Sequence, residues 1–171
     1  MRYFAAKLSR SSGDVYVALD VVKDPYEGGT WLTIVEVKPM AAGLVTVNAA
    51  AMANDIAQTG HASIYGIYFD TGKAELKPES DATLGEISKL LASNPQLKLH
   101  VVGHTDNVGT FAANMALSKQ RADAAVAALE SRYHVPAARL QAAGVGPLAP
   151  LASNKSEDGR AKNRRVELVE Q

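Results

Sequence analysis

Segments of β-strand and α-helix character alternate from residue 64 to residue 169, and this order constrains the fold more than any other feature of the sequence. Short β-branched and aromatic runs predict strands, whereas apolar residues at helical spacing predict helices. The predicted elements are strand Ile64–Phe69, helix Pro78–Ala92, strand Leu97–Gly103, helix Leu117–Tyr133, strand Leu140–Ala143 and strand Arg164–Val169. This order predicts an α+β or α/β sandwich, in which a mixed sheet carries two main helices on one face and one strand pair is a parallel crossover.

Local signals mark the ends of these predicted elements. Ser80 is the expected N-cap of the first helix, and Asn94-Pro95 is its expected stop. The strand from Leu97 is expected to end at Gly103, and the Gly/Pro-rich residues 144–150 are expected to form a loop.

The first 60 residues follow a different pattern. Tyr16–Val22 and Thr30–Val37 are β-branched and partly alternating, and the turn sequence DPYEGG separates them, which predicts a β-hairpin. The alanine-rich stretch Val47–Gln58 predicts a helix, with Asn48 as its cap and Gly60 just beyond its end.

Length and composition indicate a folded, near-neutral protein. The 171 residues are 47% hydrophobic, which excludes a disordered chain, and they include no cysteine, which excludes disulfides. The 18 Lys and Arg residues balance 18 Asp and Glu residues, so no net positive charge attracts nucleic acid.

We divide the chain into an N-terminal hairpin and helix segment, residues 1–62, and a second domain, residues 63–171. The longest uncharged run, 39–54, is short for a membrane span. The start, MRYFAAKLSR, is too charged for a signal peptide.

The signatures of common enzymes and metal sites are missing from the sequence. It has no G-x-S-x-G elbow, no phosphate-binding loop and no cysteine nucleophile. A G-x-G-x-x-A match at residues 144–149 places Pro147 where a phosphate-cradling helix would donate amides. His100 and His104 have zinc-ligand spacing only on a helix, and on the predicted strand their rings lie about 13 Å apart. We therefore expect no cofactor, no metal and no enzymatic activity.

The loop GHTDNVG, Gly103 to Gly109, is the most informative segment, because loops at strand ends commonly present binding groups. Arg121 lies in the first two turns of the helix predicted from Leu117, where a cation opposes the helix dipole and is better explained as an anion anchor. Asp106 and Arg121 together would bind a zwitterion that carries an ammonium and a carboxylate. Two alternatives stay open: the pair bind each other, or Asp106 only accepts bonds from its own loop.

A cationic cluster, Gly159 to Leu168, contains four Lys or Arg residues within six positions. Nearby acidic residues dilute its charge, and no aromatic residue is interleaved for base stacking, so a nucleic-acid site is disfavoured. The simpler interpretation is a solvated lead-in to an edge strand.

Five ordered motifs make the sequence similar to the OmpA C-terminal-like family from about Ile64 to Val169. They are IYFDTGKAELKPES (67–80), VVGHTDNVG (101–109), N-x-x-LS-x-x-RA (114–122), RL-x-x-x-G-x-G (139–146) and N-x-S-x-x-GR-x-x-NRRVEL (154–168). The resemblance implies non-covalent binding of peptidoglycan through the diaminopimelate of its stem peptide, and it gives no help with residues 1–60.

The resemblance also implies roles for individual residues. The family's aspartate that contacts the ligand ammonium falls on Asp106, and its arginine that contacts carboxylate falls on Arg121. The further positions that match the pocket or its loop are Thr105, Asn107, Asn114 and Arg164. Gly72 stands where asparagine is common in the family.

A tether of an outer-membrane or envelope protein to the cell wall is the function that the resemblance implies, with a periplasmic or outer-membrane location. An outer-membrane association through an upstream segment and a homodimer are both open at this stage. The alternative from another class is a protein-interaction or dimerisation module of the envelope that does not bind peptidoglycan. A wall-lytic hydrolase is disfavoured, because Asp70, Glu75 and Asp106 offer carboxylates without an apolar pocket or metal triad.

Overall fold

The chain divides into two compact units, Met1–Thr46 and Val47–Gln171. A computed structural model describes residues 2–8, 14–22, 29–37 and 48–171. The boundary between the units lies before the one that we place after residue 62 from the sequence. The reason is that helix α1 (Ala49–Thr59) contributes Met52 and Ile56 to the core of the second unit.

The first unit is a three-stranded antiparallel sheet in the order β1-β2-β3. Its strands are β1 (Arg2–Leu8), β2 (Asp14–Val22) and β3 (Gly29–Val37). The predicted hairpin is confirmed by the antiparallel pairing of β2 with β3, and most of its predicted turn lies outside the described residues. Strand β1 was not predicted, because adjacent alanines at positions 5 and 6 obscure the alternation on which a strand prediction depends.

The second unit contains a four-stranded mixed sheet in the order β4-β7-β5-β6. Its strands are β4 (His61–Ile64), β5 (Leu99–His104), β6 (Leu140–Gly146) and β7 (Val166–Glu170). Strands β5 and β6 are parallel, and β7 runs antiparallel to both β4 and β5. The predicted mixed α+β fold with a parallel pair is thereby confirmed.

Helices α1, α2 and α3 enclose the core of this unit. Helix α2 spans Asp81–Ser93 after a short 3-10 turn at Pro78–Ser80, α3 spans Phe111–Tyr133, and α4 spans Glu157–Asn163. Helix α3 packs on β5 and β6, while α1 contacts both α2 and β4. The capping prediction for α1 is confirmed, because Asn48 Oδ1 accepts the Ala51 N–H at 2.7 Å and Gly60 adopts φ 79°.

The predicted strand at residues 64–69 is wrong for most of its length. Strand β4 ends at Ile64, and Phe69 forms only an isolated bridge with Leu76. The Tyr68 N–H donates to the Ser80 hydroxyl at 2.9 Å, so a side chain takes the place of a neighbouring strand. Ser80 precedes α2 as expected, but its hydroxyl makes no capping bond within the helix.

Four further features differ from the predictions. Helix α3 begins six residues before Leu117, and β6 continues through most of the segment expected to be a loop, as far as Gly146. The cationic segment forms α4 rather than a solvated lead-in, and β7 is an inner strand between β4 and β5. As a result, the loop that follows β5 leads directly into α3, and its neighbouring segments 144–146 and 157–163 are strand and helix.

Arg139, which immediately precedes β6, bonds to the end of α2 and the residues that follow it, and its removal is expected to destabilise the unit strongly. Its guanidinium donates to the carbonyls of Leu97 at 2.7 and 2.9 Å, Leu91 at 3.0 Å and Asn94 at 2.6 Å. Arg139→Ala removes all four hydrogen bonds, and of the three carbonyls the one on Asn94 still accepts the Leu97 N–H at 3.1 Å. We expect a loss of about 2–4 kcal/mol in unfolding free energy, measured by urea denaturation. Arg139→Lys should recover only part of it, because an ammonium cannot reach three carbonyls in one plane. Full recovery with lysine would contradict this role.

Candidate functional site

Side-chain hydrogen bonds fix the loop between β5 and α3. Asp106 Oδ1 accepts the Val108 N–H at 3.0 Å, and Asn114 Nδ2 donates to the Val108 carbonyl at 2.9 Å. Thr110 caps α3 by accepting the Ala113 N–H, and Gly109 takes φ 94°, which favours glycine. The loop therefore holds Asp106 in a defined place at the end of a buried strand.

The second carboxylate oxygen of Asp106 forms an ion pair. Arg164, at the end of α4, donates from Nη1 to Asp106 Oδ2 at 2.7 Å and from Nη2 to Glu157 Oε1 at 2.6 Å. The Asp106 and Glu157 carboxylates raise the pKa of Arg164. The alternative that Asp106 pairs with Arg121 is therefore wrong, and Asp106 does more than bond its own loop.

Arg121 enters the site from the middle of α3, which corrects the argument from the helix dipole. Because α3 begins at Phe111, Arg121 lies in its third turn and not near the N-terminus. Its Nε donates to the Lys73 carbonyl at 3.0 Å, its Nη2 to the Asp70 carbonyl at 3.3 Å, and its guanidinium lies 5.0 Å from the centre of the Phe69 ring.

The Arg121 guanidinium contacts neutral groups, two backbone carbonyls and an aromatic ring. Among the described residues of the second unit, 48–171, no carboxylate oxygen lies within 4 Å of its guanidinium nitrogens. Burial lowers the pKa of Arg121, while the more distant Asp106 carboxylate raises it and Arg164 lowers it further. A half-buried cation whose described partners are two carbonyls and an aromatic ring retains the capacity to bind an anion.

These groups line one cavity of about 700 Å³. Its lining includes five of the six residues selected from the sequence: Thr105, Asp106, Asn114, Arg121 and Arg164. Asn107 is exposed and does not line it. The cavity thus brings together a carboxylate and guanidinium groups from three separate parts of the chain.

The lining residues that sequence reasoning did not select as site residues include Glu157, Arg160, Tyr65 and Tyr68. Glu157 accepts from both Arg160, at 2.9 Å, and Arg164, so it holds the two cations beside Asp106. The spacing of Glu157, Arg160 and Arg164 at i, i+3 and i+7 is a helical signal that could have identified α4 as one face of the site.

A second buried polar cluster lies beside the site, on β5 and β7. Glu167 Oε1 accepts from Arg165 at 2.8 and 2.9 Å and from Ser63 at 3.2 Å. His104 Nε2 lies 3.2 Å from Glu167 Oε2, but outside hydrogen-bond geometry. No group of three His, Asp or Glu side chains within the described ranges is arranged to hold a metal ion.

This cluster is expected to make stability depend on pH in the acid range. His104 and Arg165 lower the pKa of Glu167 to about 2, against the opposing effect of burial. Because its carboxyl titrates near 4.3 in the unfolded chain, the stabilisation is complete above that pH and is lost as pH falls toward 2. We expect Glu167→Gln to cost about 1–2 kcal/mol near pH 7, after allowance for solvent screening, and almost nothing near pH 2. Urea unfolding of both proteins between pH 7 and pH 2 tests this prediction. A difference in unfolding free energy that does not change with pH would refute the role given to the Glu167 carboxylate.

Comparison with known proteins gives a matched region that contains all the lining residues of the cavity except Tyr65 and Ile67. The model of the OmpA family matches residues 68–164. The probable lipoprotein YiaD of Escherichia coli K12 is 41% identical over 103 residues, which are 60% of this chain and 47% of YiaD. This chain therefore corresponds to less than half of that relative's length.

Solved structures share the fold of the second unit. The peptidoglycan-associated lipoprotein from Burkholderia pseudomallei has a TM-score of 0.56 at 35% identity and covers 61% of this chain and 88% of its own. The cell wall anchor of the T6SS from Pseudomonas aeruginosa has a TM-score of 0.55 at 27% identity and covers 72% of this chain and 96% of its own. Across the described part of this chain, no helix has the length and apolarity needed to cross a membrane.

Proposed function

The chain belongs to the OmpA family, and from this premise we propose that its second unit binds peptidoglycan non-covalently, as a tether between the envelope and the cell wall. The ligand group is the diaminopimelate of the stem peptide, and the protein acts without catalysis in the periplasm or at the outer membrane. The printed descriptions of two structural relatives, a peptidoglycan-associated lipoprotein and a cell wall anchor, support the proposal.

The observation that carries the proposal is the placement of Asp106 and Arg121 in one cavity. The free end of diaminopimelate bears an ammonium and a carboxylate on one carbon. Asp106 accepts from the ammonium, and Arg121, which has only carbonyl and aromatic partners, binds the carboxylate. Arg164 and Asn114 hold the acidic loop in position for this contact.

The expected affinity of a single site is moderate. A hydrogen bond to a charged group contributes about 1.5–3 kcal/mol, so two such anchors with neutral contacts correspond to a dissociation constant in the micromolar range. This strength suits a tether, because the wall polymer repeats the ligand and several copies of the protein can bind it together.

Co-sedimentation with purified peptidoglycan sacculi tests the proposal. We expect the wild-type protein to sediment with the sacculi, and Asp106→Asn or Arg121→Gln to weaken binding by roughly tenfold or more, because each removes one charged contact. Far-UV circular dichroism and urea unfolding establish that each variant is folded.

Matched controls come from the exposed face of α3. Asp123→Asn removes a carboxylate paired with Lys119, and Arg132→Gln removes a guanidinium that lies 3.0 Å from Asp81, without altering the cavity lining. Both should sediment like the wild type. If the wild type stays in the supernatant, the proposal fails, and an envelope protein-interaction or dimerisation module becomes the preferred function.

A further inference from the structure

The cavity that holds Asp106 and Arg121 has a second, uncharged wall. This aromatic wall consists of Tyr65, Ile67, Tyr68 and Phe69. Phe69 lies under the Arg121 guanidinium, whereas Tyr65 and Tyr68 are 43% and 49% exposed and are not part of the core formed by the described residues. Two tyrosine rings therefore face solvent at the edge of the charged site without a packing role that explains them.

The backbone that carries the aromatic wall is fixed. The Tyr68 N–H donates to the buried Ser80 hydroxyl at 2.9 Å, and the Tyr68 carbonyl accepts the Lys77 N–H at 3.0 Å. A Cβ at Gly66 would lie 2.1 Å from Thr83 Oγ1, so the chain between the two tyrosines is pressed against α2. Tyrosines on a fixed backbone offer contact area at a low cost in conformational entropy, which is typical of binding surfaces.

Charge and volume indicate what the aromatic wall can bind. The ionic groups of the lining, Asp106, Arg121, Glu157, Arg160 and Arg164, come from other segments, and because the Arg121 guanidinium covers Phe69, the uncharged surface that the aromatic wall offers is that of Tyr65 and Tyr68. A cavity of about 700 Å³ far exceeds the space that one zwitterionic end group fills, and it falls in the size range of sites for larger ligands. The remaining occupant is therefore neutral, has an apolar face, and carries groups that can hydrogen-bond to a phenol.

A sugar ring of the glycan strand meets this description, since its C–H groups form an apolar face and its hydroxyl groups pair with phenols. We propose that Tyr65 and Tyr68 form a saccharide subsite, so that the cavity binds the peptide end through its charged groups and the adjoining glycan through its aromatic wall. This inference rests on the proposed function, because the two subsites belong to one ligand.

Two muropeptides test the saccharide subsite by isothermal titration calorimetry. One is the disaccharide-tripeptide with diaminopimelate, and the other is the same tripeptide without sugar. We expect the wild type to bind the first roughly tenfold more tightly, in line with the contribution of aromatic stacking. Tyr68→Ala and Tyr65→Ala should reduce that preference to less than threefold, and Tyr68→Phe should retain most of the preference.

The controls separate this inference from the proposed function. Phe111→Ala removes an aromatic side chain of similar exposure that does not line the cavity, and it should keep the preference. If the wild type binds the disaccharide-tripeptide and the free tripeptide with equal affinity, the saccharide subsite is overturned and the proposed function stays intact. No binding of either ligand would overturn both.

Discussion

A stem peptide with meso-diaminopimelate is expected to bind this protein about 10- to 100-fold more tightly than the same peptide with lysine at that position. Lysine keeps the ammonium that Asp106 accepts and lacks the carboxylate that Arg121 binds. Its complex would leave the half-buried guanidinium with only the Lys73 and Asp70 carbonyls and the Phe69 ring. Titration calorimetry with the two peptides measures the difference directly.

Arg121→Gln should remove this selectivity, because the lost protein cation and the lost ligand carboxylate are the two halves of one contact. In the variant we expect the two peptides to bind within about threefold of each other, the outcome of a double-mutant cycle for a direct contact. Arg132→Gln, on the same helix and outside the cavity, should keep the full preference. A preference that survives in Arg121→Gln would show that another group binds the carboxylate.

Gly103→Ala is expected to destabilise the second unit by about 3 kcal/mol or more. A Cβ at this position of β5 would lie 2.0 Å from the backbone carbonyl oxygen of Ser118, so α3 would have to move away from the sheet. No rotation of a side chain relieves a clash between a Cβ and a backbone atom. Urea denaturation gives the loss, and weaker muropeptide binding should accompany it, because Asn114 and Arg121 are carried by α3.

Gly85→Ala is the matched control for this substitution. Gly85 lies inside α2, and the nearest atom to its added Cβ would be Tyr133 Cε1 at 3.7 Å, an ordinary contact. Alanine in a helix interior is favoured over glycine by about 0.5–1 kcal/mol, so we expect equal or greater stability. A Gly103→Ala variant within 1 kcal/mol of the wild type would contradict the close packing of α3 on β5.

Features set by neighbouring residues were predictable from the sequence. The ends of α1 follow from Asn48 and Gly60, which act within one turn of the helix. Asp106 was identified because its loop follows a buried strand, and the parallel pair was expected from the helix between two strands. These signals do not depend on the tertiary fold.

Features set by distant residues were not predictable. The partner of Asp106 is Arg164, 58 positions away, and a sequence contains no distance between such residues. The segment at 64–69 has strand composition, yet the Ser80 hydroxyl takes the Tyr68 N–H that a strand would use. The sequence argument for Arg121 assumes that a cation near the N-terminus of α3 opposes the helix dipole, and this argument fails because α3 begins at Phe111. The position of Arg121 in the cavity lining is a different reason to assign it to the site.

Titration of isotope-labelled protein with a diaminopimelate-containing tripeptide, followed by NMR, tests the central claim most directly. We predict that the Arg121 Nε–H resonance and the backbone amides of residues 103–109 shift together along one micromolar-range binding curve, while the amides of β1, β2 and β3 stay unchanged. Saturable shifts confined to another surface, or no shifts at millimolar peptide, would contradict the binding of diaminopimelate by Asp106 and Arg121.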